Sequence, residues 1–371
     1  RDRAHRRVLD FPDAKLIHDM QIVELLRSRE NHLRIYPGVF AWDGSAALAT
    51  LRQPMWIGTT ADDQLSPHLD RLPTLVPGTH VERLPIGART DVLQAQARWM
   101  LAHLPDGDAP PAPPPQAHWR EPQGRARAHV AGLSVQGRDM DRPGPVRLLL
   151  HGAGSSAQCE LQRWHDDGAG PVLAVDLPGH GDSQGTVLAP ADAATALMQT
   201  LSALGMPRLQ VWGRGYGAAV AVEWARQCDR GVATPAPCRP QSLHLRELVL
   251  RSDEERAAWA VRYATAIEPV WDGSHLVRLW HEIRDRELFH PWFERGRTNI
   301  RPVEPLLDGE SLTQSVFAAL CCQDWVQAHR HWLAWQPGTW AELQGLGIAV
   351  DVQAAPGDGW AHGLDAWRAA T

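Results

Sequence analysis

The sequence predicts an α/β protein with a mostly parallel central sheet flanked by helices, because one local pattern occurs three times in succession. Each time, a short apolar run ends in a glycine-bearing turn and a helical stretch follows. The first run, Val146 to Leu150, enters His151-Gly-Ala-Gly-Ser-Ser156. The second, Pro171 to Val175, enters Asp176-Leu-Pro-Gly-His-Gly-Asp-Ser183. The third, Leu209 to Trp212, enters Gly213-Arg-Gly-Tyr-Gly217, with a helix from Ala218 onward. Continuous apolar runs of this length suit strands buried on both faces.

In the third turn, small residues at Gly213 and Gly217 let strand and helix pack closely, and Gly215 can take a strained backbone angle. A dinucleotide-binding turn would belong to the first strand–helix unit, with an acidic residue about 20 positions on. Here two units precede it, which argues against that reading. In order and spacing the three turns resemble the α/β-hydrolase family: its HGxG loop, its D-x-P-G-H-G-x-S turn and its G-x-S-x-G nucleophile elbow. The resemblance covers roughly residues 125 to 371, implies an α/β-hydrolase fold with a helical cap, and resumes over residues 1 to 105.

The resemblance also implies roles. The nucleophile position holds Gly215, which has neither oxygen nor sulfur, so an acyl-enzyme cannot form there. The oxyanion donors would be the backbone N–H groups of Ala153 (or Gly154) and Tyr216, which survive loss of the serine. They suit a carboxylate or carbonyl oxygen, or are satisfied by water or a neighbouring side chain. His151 and His180 are expected to tie loops together, and Ser155 and Ser156 to cap a helix. Candidate acids are Asp253, after a sixth strand expected at Leu248 to Leu250, and Asp358, after a seventh at Ile348 to Val352. Both also stand in ordinary turn and cap sequences, the favoured reading. The histidine should follow an eighth strand, beyond Thr371 in this domain.

The chain also resembles itself. Leu51 to Asp63 runs without gaps against Leu346 to Asp358, and Leu69-Asp70 falls on Leu364-Asp365, a separation of about 295 residues. Upstream, Arg1, Arg3 and Arg7 lie against Arg295, Arg297 and Arg301. Residues 1–104 therefore read as the C-terminal part of a first hydrolase-like repeat: a cap end, a strand from Pro54 to Gly58, a helix near Leu65 to Leu72, a last strand from Thr79 to Pro85 and a helix from Thr90 to Leu104. Residues 105–124 form a proline-rich linker, stiff and extended. Residues 125–371 form a second domain, its cap at about 254–340, lacking its last strand and helix. After the first repeat's last strand, Leu84-Pro-Ile-Gly-Ala-Arg-Thr90 places no histidine near Ala88. His80 lies within that strand and reads as a surface or packing residue.

The cap segment is rich in Trp, Arg and His, and 17 tryptophans in 371 residues are unusual enough to suggest a wide apolar pocket or a partner surface. Leu276, Trp280 and Ile283 suggest one apolar helix face. Formal charge is −6, with acidic and basic residues interspersed, which speaks against nucleic-acid binding. No apolar stretch approaches a membrane span, and no signal peptide is visible. The five cysteines form no zinc spacing. The expectation is a cytoplasmic protein without metal or cofactor, binding a small apolar, carboxylate or ester-like ligand, or acting as a non-catalytic subunit on another protein or a copy of itself. The alternative is a genuine ester or carbon–carbon hydrolase whose complete site lies elsewhere or is assembled across domains.

Overall fold

The computed structural model describes residues 22–28, 30–42, 44–63, 65–86, 89–103, 125–164, 170–206, 208–231, 238–270 and 272–370. The linker, Arg1, Arg3, Arg7 and Ala88 lie outside them. Two compact units are present, Arg1–Ala112 and Pro113–Thr371.

In the first unit, helices α1 (Val23–Ser28), α2 (Glu30–Ala41) and α3 (Ser45–Thr50) precede strand β1 (Met55–Thr60), a 3-10 turn at Ser66–Arg71, strand β2 (Thr79–Leu84) and helix α4 (Arg89–Ala102). β1 and β2 pair in parallel, Met55 opposite Thr79. His80 is exposed, 3.6 Å from Glu82.

The second unit is built on a seven-stranded sheet. Its strands are β3 (Arg125–Val130), β4 (Leu133–Arg138), β5 (Val146–Leu150), β6 (Val172–Val175), β7 (Arg208–Arg214), β8 (Arg239–Arg246) and β9 (Ala349–Gln353). Their spatial order is β3-β4-β6-β5-β7-β8-β9. β4 pairs antiparallel with both neighbours, and β5 to β9 are all parallel. Helices α5 (Ala157–Arg163), α6 (Pro190–Ala203) and α7 (Tyr216–Asp229) connect the central strands. A fully parallel centre needs both faces covered, and Leu148, Leu150, Leu173, Val175, Val211 and Leu243 are accordingly fully buried. Each such side chain contributes roughly 2 kcal/mol.

The sixth strand departs from expectation. It is β8, and Leu248 to Leu250 follow it as irregular chain. The apolar run there marks packing rather than strand: Leu248 and Val249 are buried in the main core. β8 lacks a continuous apolar run, since Pro240, Leu243 and Leu245 are the apolar residues among its eight.

The cap comprises α8 (Asp253–Arg262), α9 (Ser274–Leu288), α10 (Gly309–Leu320) and α11 (Trp325–Ala334), followed by α12 (Trp340–Gln344); α13 (Leu364–Ala369) comes after β9. Side chains set the starts: Ser252 and Glu255 form a reciprocal capping box on α8, while Asp308 and Asp324 cap α10 and α11. The buried face of α9 runs through His275, Leu279, Glu282 and Ile283. Trp280 is 36% exposed, so it does not belong to that face. Its ring instead carries the Arg284 guanidinium at 5.7 Å.

Candidate functional site

Open α/β sheets bind ligands beyond the carboxyl ends of their strands, and here β5, β7 and β8 deliver their loops to one place. β7 passes into α7 through Gly215, at φ +54° and ψ −114°. A side chain in so sparse a region costs about 1–3 kcal/mol, which glycine avoids. The flanking glycines are steric requirements. A Cβ on Gly213 would stand 2.7 Å from Ala218 Cα, and one on Gly217 2.6 Å from the His151 oxygen. The Gly215 N–H donates to Arg246 O at 2.9 Å, fixing the bend to β8. Tyr216 opens α7, so its N–H has no partner within the helix. Its phenol turns away and donates to Leu188 O at 2.7 Å.

The loops after β5 and β6 lock each other. His151 Nε2 accepts the Leu177 N–H at 2.9 Å, so Nδ1 carries the hydrogen and donates to Gly152 O at 2.8 Å. His180 Nδ1 lies 3.0 Å from Pro178 O, and the two imidazole rings are 4.8 Å apart. Burial pushes His151 down to about 4, and burial followed by its neighbour His151 pushes His180 down to about 3. Both histidines are neutral struts. Ser156 caps α5, accepting the Cys159 N–H at 3.4 Å.

Charged side chains that sequence reasoning passed over surround the bend. Arg214 donates to Glu160 at 2.6 Å and to Glu247 at 3.3 Å. Burial opposes its charge, yet Glu160 and then Glu247 hold it well above the usual arginine range. Glu247 follows β8 directly and sits at φ +57°, a left-handed angle that is costly for a side-chain-bearing residue. One of its carboxylate oxygens lies 3.6 Å from where a Gly215 Cβ would stand.

The cap closes over the same point. Trp332 places Cε2 3.3 Å from that Cβ position. His329 Nδ1 lies 2.8 Å from Trp325 O and Nε2 lies 2.7 Å from Arg286 Nη1. With Nδ1–H donating to the carbonyl, Nε2 accepts from the guanidinium. Burial and then Arg286 push His329 well below the usual histidine value. Arg286 is flanked by the Tyr263 and Trp325 rings, 4.8 and 4.7 Å from its Cζ, and donates to Glu282 at 2.6 Å.

These groups enclose a cavity of about 90 Å³. Its wall includes Ala153, Gly154 and Gly215 of the loops, Trp325 and Trp332 of the cap, and arginines 163, 214, 286 and 301. Pockets for drug-sized ligands run to about 300–1,000 Å³, so this cavity is small beside them. The tryptophans do line the site, but in a small space shared with ionic side chains. Among the described residues, no group of His, Cys, Asp and Glu could hold a metal ion. No helix among them is long and apolar enough to cross a membrane.

Neither candidate acid lines the cavity. The Asp253 side chain is 81% exposed, accepts from Gln336 at 2.7 Å and pairs with Arg256 at 3.3 Å. Asp358 is buried as the cap of a 3-10 turn, accepting the Trp360 N–H at 3.3 Å and Arg301 Nη2 at 2.8 Å. Arg301 also donates Nη1 to Arg286 O at 3.1 Å, so the pair fastens the cap loop to the segment after β9. Arg301→Ala is expected to destabilise the unit by about 3–5 kcal/mol, since it strands a buried carboxylate. Denaturant titration would detect this, and a loss below about 1 kcal/mol, the worth of a surface pair, would contradict it.

No protein-family model matches the chain. No curated protein matches it in sequence. Among solved structures, part of the chain is similar to an epoxide hydrolase from Vigna radiata, at 16% identity over 66% of this chain and 83% of that one, with a TM-score of 0.42. It is similar to a thermophilic esterase from Thermogutta terrifontis, with malate bound, at 20% identity over 62% and 78%, TM-score 0.40. A third is the N-acyl homoserine lactonase AidH, a serine-to-glycine mutant complexed with N-hexanoyl homoserine lactone, at 17% identity over 56% and 68%, TM-score 0.36. It is the second unit's own strand order, its bend at Gly215 and its helical cap that make it an α/β-hydrolase fold.

Proposed function

We propose that the second unit binds a small ligand above a nucleophile elbow without a nucleophile and does not hydrolyse it. The observation that carries this reading is the Trp332 indole, packed 3.3 Å from the point a Gly215 side chain would occupy. Two further positions support it. His329, the imidazole in the cavity wall, is already an acceptor for Arg286, and Asp358 is held by Arg301. A base must be free to take a proton from the attacking group. Ala153, Gly154 and the N–H of Tyr216 remain candidates for holding a ligand oxygen.

The first unit fits a second copy of the same design. β1 and β9 lie in the two self-similar stretches, and each is followed by a short 3-10 turn, Ser66–Arg71 and Gly359–Ala361.

The test is a fluorophosphonate labelling assay with a panel of short-chain esters. No labelling and no turnover are expected, and covalent labelling of any side chain at the cavity would sink the reading. Gly215→Ser should stay at background too, because it supplies a hydroxyl without a base. It should also lose about 1–3 kcal/mol of stability through its backbone angle. Ester hydrolysis by that variant would mean that a working base is present.

A further inference from the structure

The cap carries a second hollow, of about 480 Å³, which shares no lining residue with the cavity above the elbow. Its size falls in the range of about 300–1,000 Å³ typical of small-molecule sites. Helix α9 supplies most of the wall: Arg278, His281 and Asp285 follow one another at three and four residues, the spacing of one helix side, and Arg284 joins them. Thr265 before the helix, and Trp292 and Arg295 after it, complete the lining. Asp285 is fully buried, and two guanidinium groups divide its oxygens between them. Arg284 donates Nε and Nη2 to Oδ1 at 2.9 and 2.5 Å, and Arg295 donates Nε to Oδ2 at 2.6 Å. One carboxylate therefore holds two cations in place.

The wall keeps a surplus of positive charge. Its other carboxylate, Glu282, is matched from outside the hollow by Arg286 at 2.6 Å, and the exposed Arg278 adds a third guanidinium to the lining. The Arg295 side chain is 58% exposed, and its bond to Asp285 uses Nε, leaving the two terminal nitrogens facing outward from that contact. Arg284 is steadied from a second direction by the Trp280 ring at 5.7 Å. Arginines tethered in this way have already surrendered the freedom that an untethered surface arginine loses on binding. A phosphate monoester matches the surplus, since it carries about −1.5 to −2 charges near neutrality and presents three acceptor oxygens to forked donors. A carboxylate brings a single charge and two oxygens. We infer that this hollow is a binding site for a small phosphate monoester, its phosphate held by Arg278, Arg284 and Arg295 and its organic part filling the remaining space. The site is separate from the elbow and does not depend on whether anything is hydrolysed there.

Calorimetric titration with phenyl phosphate, and separately with benzoate, phenol and inorganic phosphate, tests the assignment. Phenyl phosphate should bind, benzoate should bind at least about tenfold more weakly, and phenol should give no signal. Inorganic phosphate should bind more weakly than its ester, because it leaves most of the hollow empty. Arg278→Gln removes a guanidinium outside the Asp285 tether, and should weaken phenyl phosphate binding about tenfold while leaving the melting temperature in place. The location is read independently in the unaltered protein, where phenylglyoxal modifies exposed arginines. Phenyl phosphate should shield Arg278 and Arg295 from the reagent, as mapped by peptide mass spectrometry, and leave the exposed Arg230 reactive. Benzoate bound as tightly as phenyl phosphate, affinity unchanged in Arg278→Gln, or shielding of neither arginine overturns the site. None of these outcomes touches the reading of the elbow.

Discussion

Replacing Gly217 with alanine is expected to lower the stability of the second unit by about 4 kcal/mol or more. The added Cβ would stand 2.6 Å from the His151 oxygen and closer still to the Leu150 oxygen, and both are backbone atoms that cannot swing aside. α7 would have to lift from the end of β5, opening contacts among the fully buried Leu150, Ala218 and Val220. For a unit of this size the melting temperature should fall by about 10 °C, with poor soluble yield. Gly309→Ala is the matched control, because its Cβ would meet nothing within 4 Å at the start of α10. Melting of the two variants side by side checks the expectation, and a Gly217→Ala midpoint equal to that of the control would refute it.

Acid should unfold this protein early. His151, His180 and His290 carry folded values of about 4, 3 and 4 against an ordinary 6.5, burial being the largest cause for each. The sign follows from linkage. As pH falls below about 6.5, the unfolded chain takes up protons that the native state refuses until about 4, so stability is lost across that window. Each histidine costs about 1.4 kcal/mol per pH unit, and three together about 4. Asp176 and Glu282, raised by burial, oppose part of this, because their protonation in the folded state is favoured. With typical stabilities of about 5–15 kcal/mol, the unfolding midpoint should lie near pH 4 to 5. Denaturant midpoints at stepped pH values measure it. A midpoint unchanged between neutrality and pH 5 would show that these imidazoles are not buried as neutral groups.

The sheet's centre was legible because local signals agreed there. The runs before His151, Asp176 and Gly213 are strands β5, β6 and β7, within a few residues of where composition alone puts them. β8 was not legible, since five of the eight residues of Arg239–Arg246 are polar and the stronger apolar run belongs to the irregular chain after it. Trp280 misled for a similar reason: helical spacing with Leu276 is genuine, but the turn of α9 puts Leu279 on the buried side. The geometry at Gly215 was readable from glycine spacing, a steric signal confined to five residues. The ionic wall was not, because its partners lie far apart: Arg214 reaches Glu160 across 54 positions, Arg301 reaches Asp358 across 57, and Arg163 reaches Glu287 across 124. Glu247 had a faint signal, a carboxylate directly beyond a strand's carboxyl end.

Helix α11 belongs to two cores at once. Trp325, at its start, packs with Leu279, Ile283 and Val316 of the cap, whereas Trp332 and Leu333, two turns on, pack into the main body. Swinging the cap open would pull the Trp332 indole and Leu333 out of the main core into water, at roughly 25 cal/mol for every Å² uncovered. Rotation of the partly exposed Arg163 and Glu287 side chains at the rim is a far cheaper way to open this space than a hinged movement of the cap.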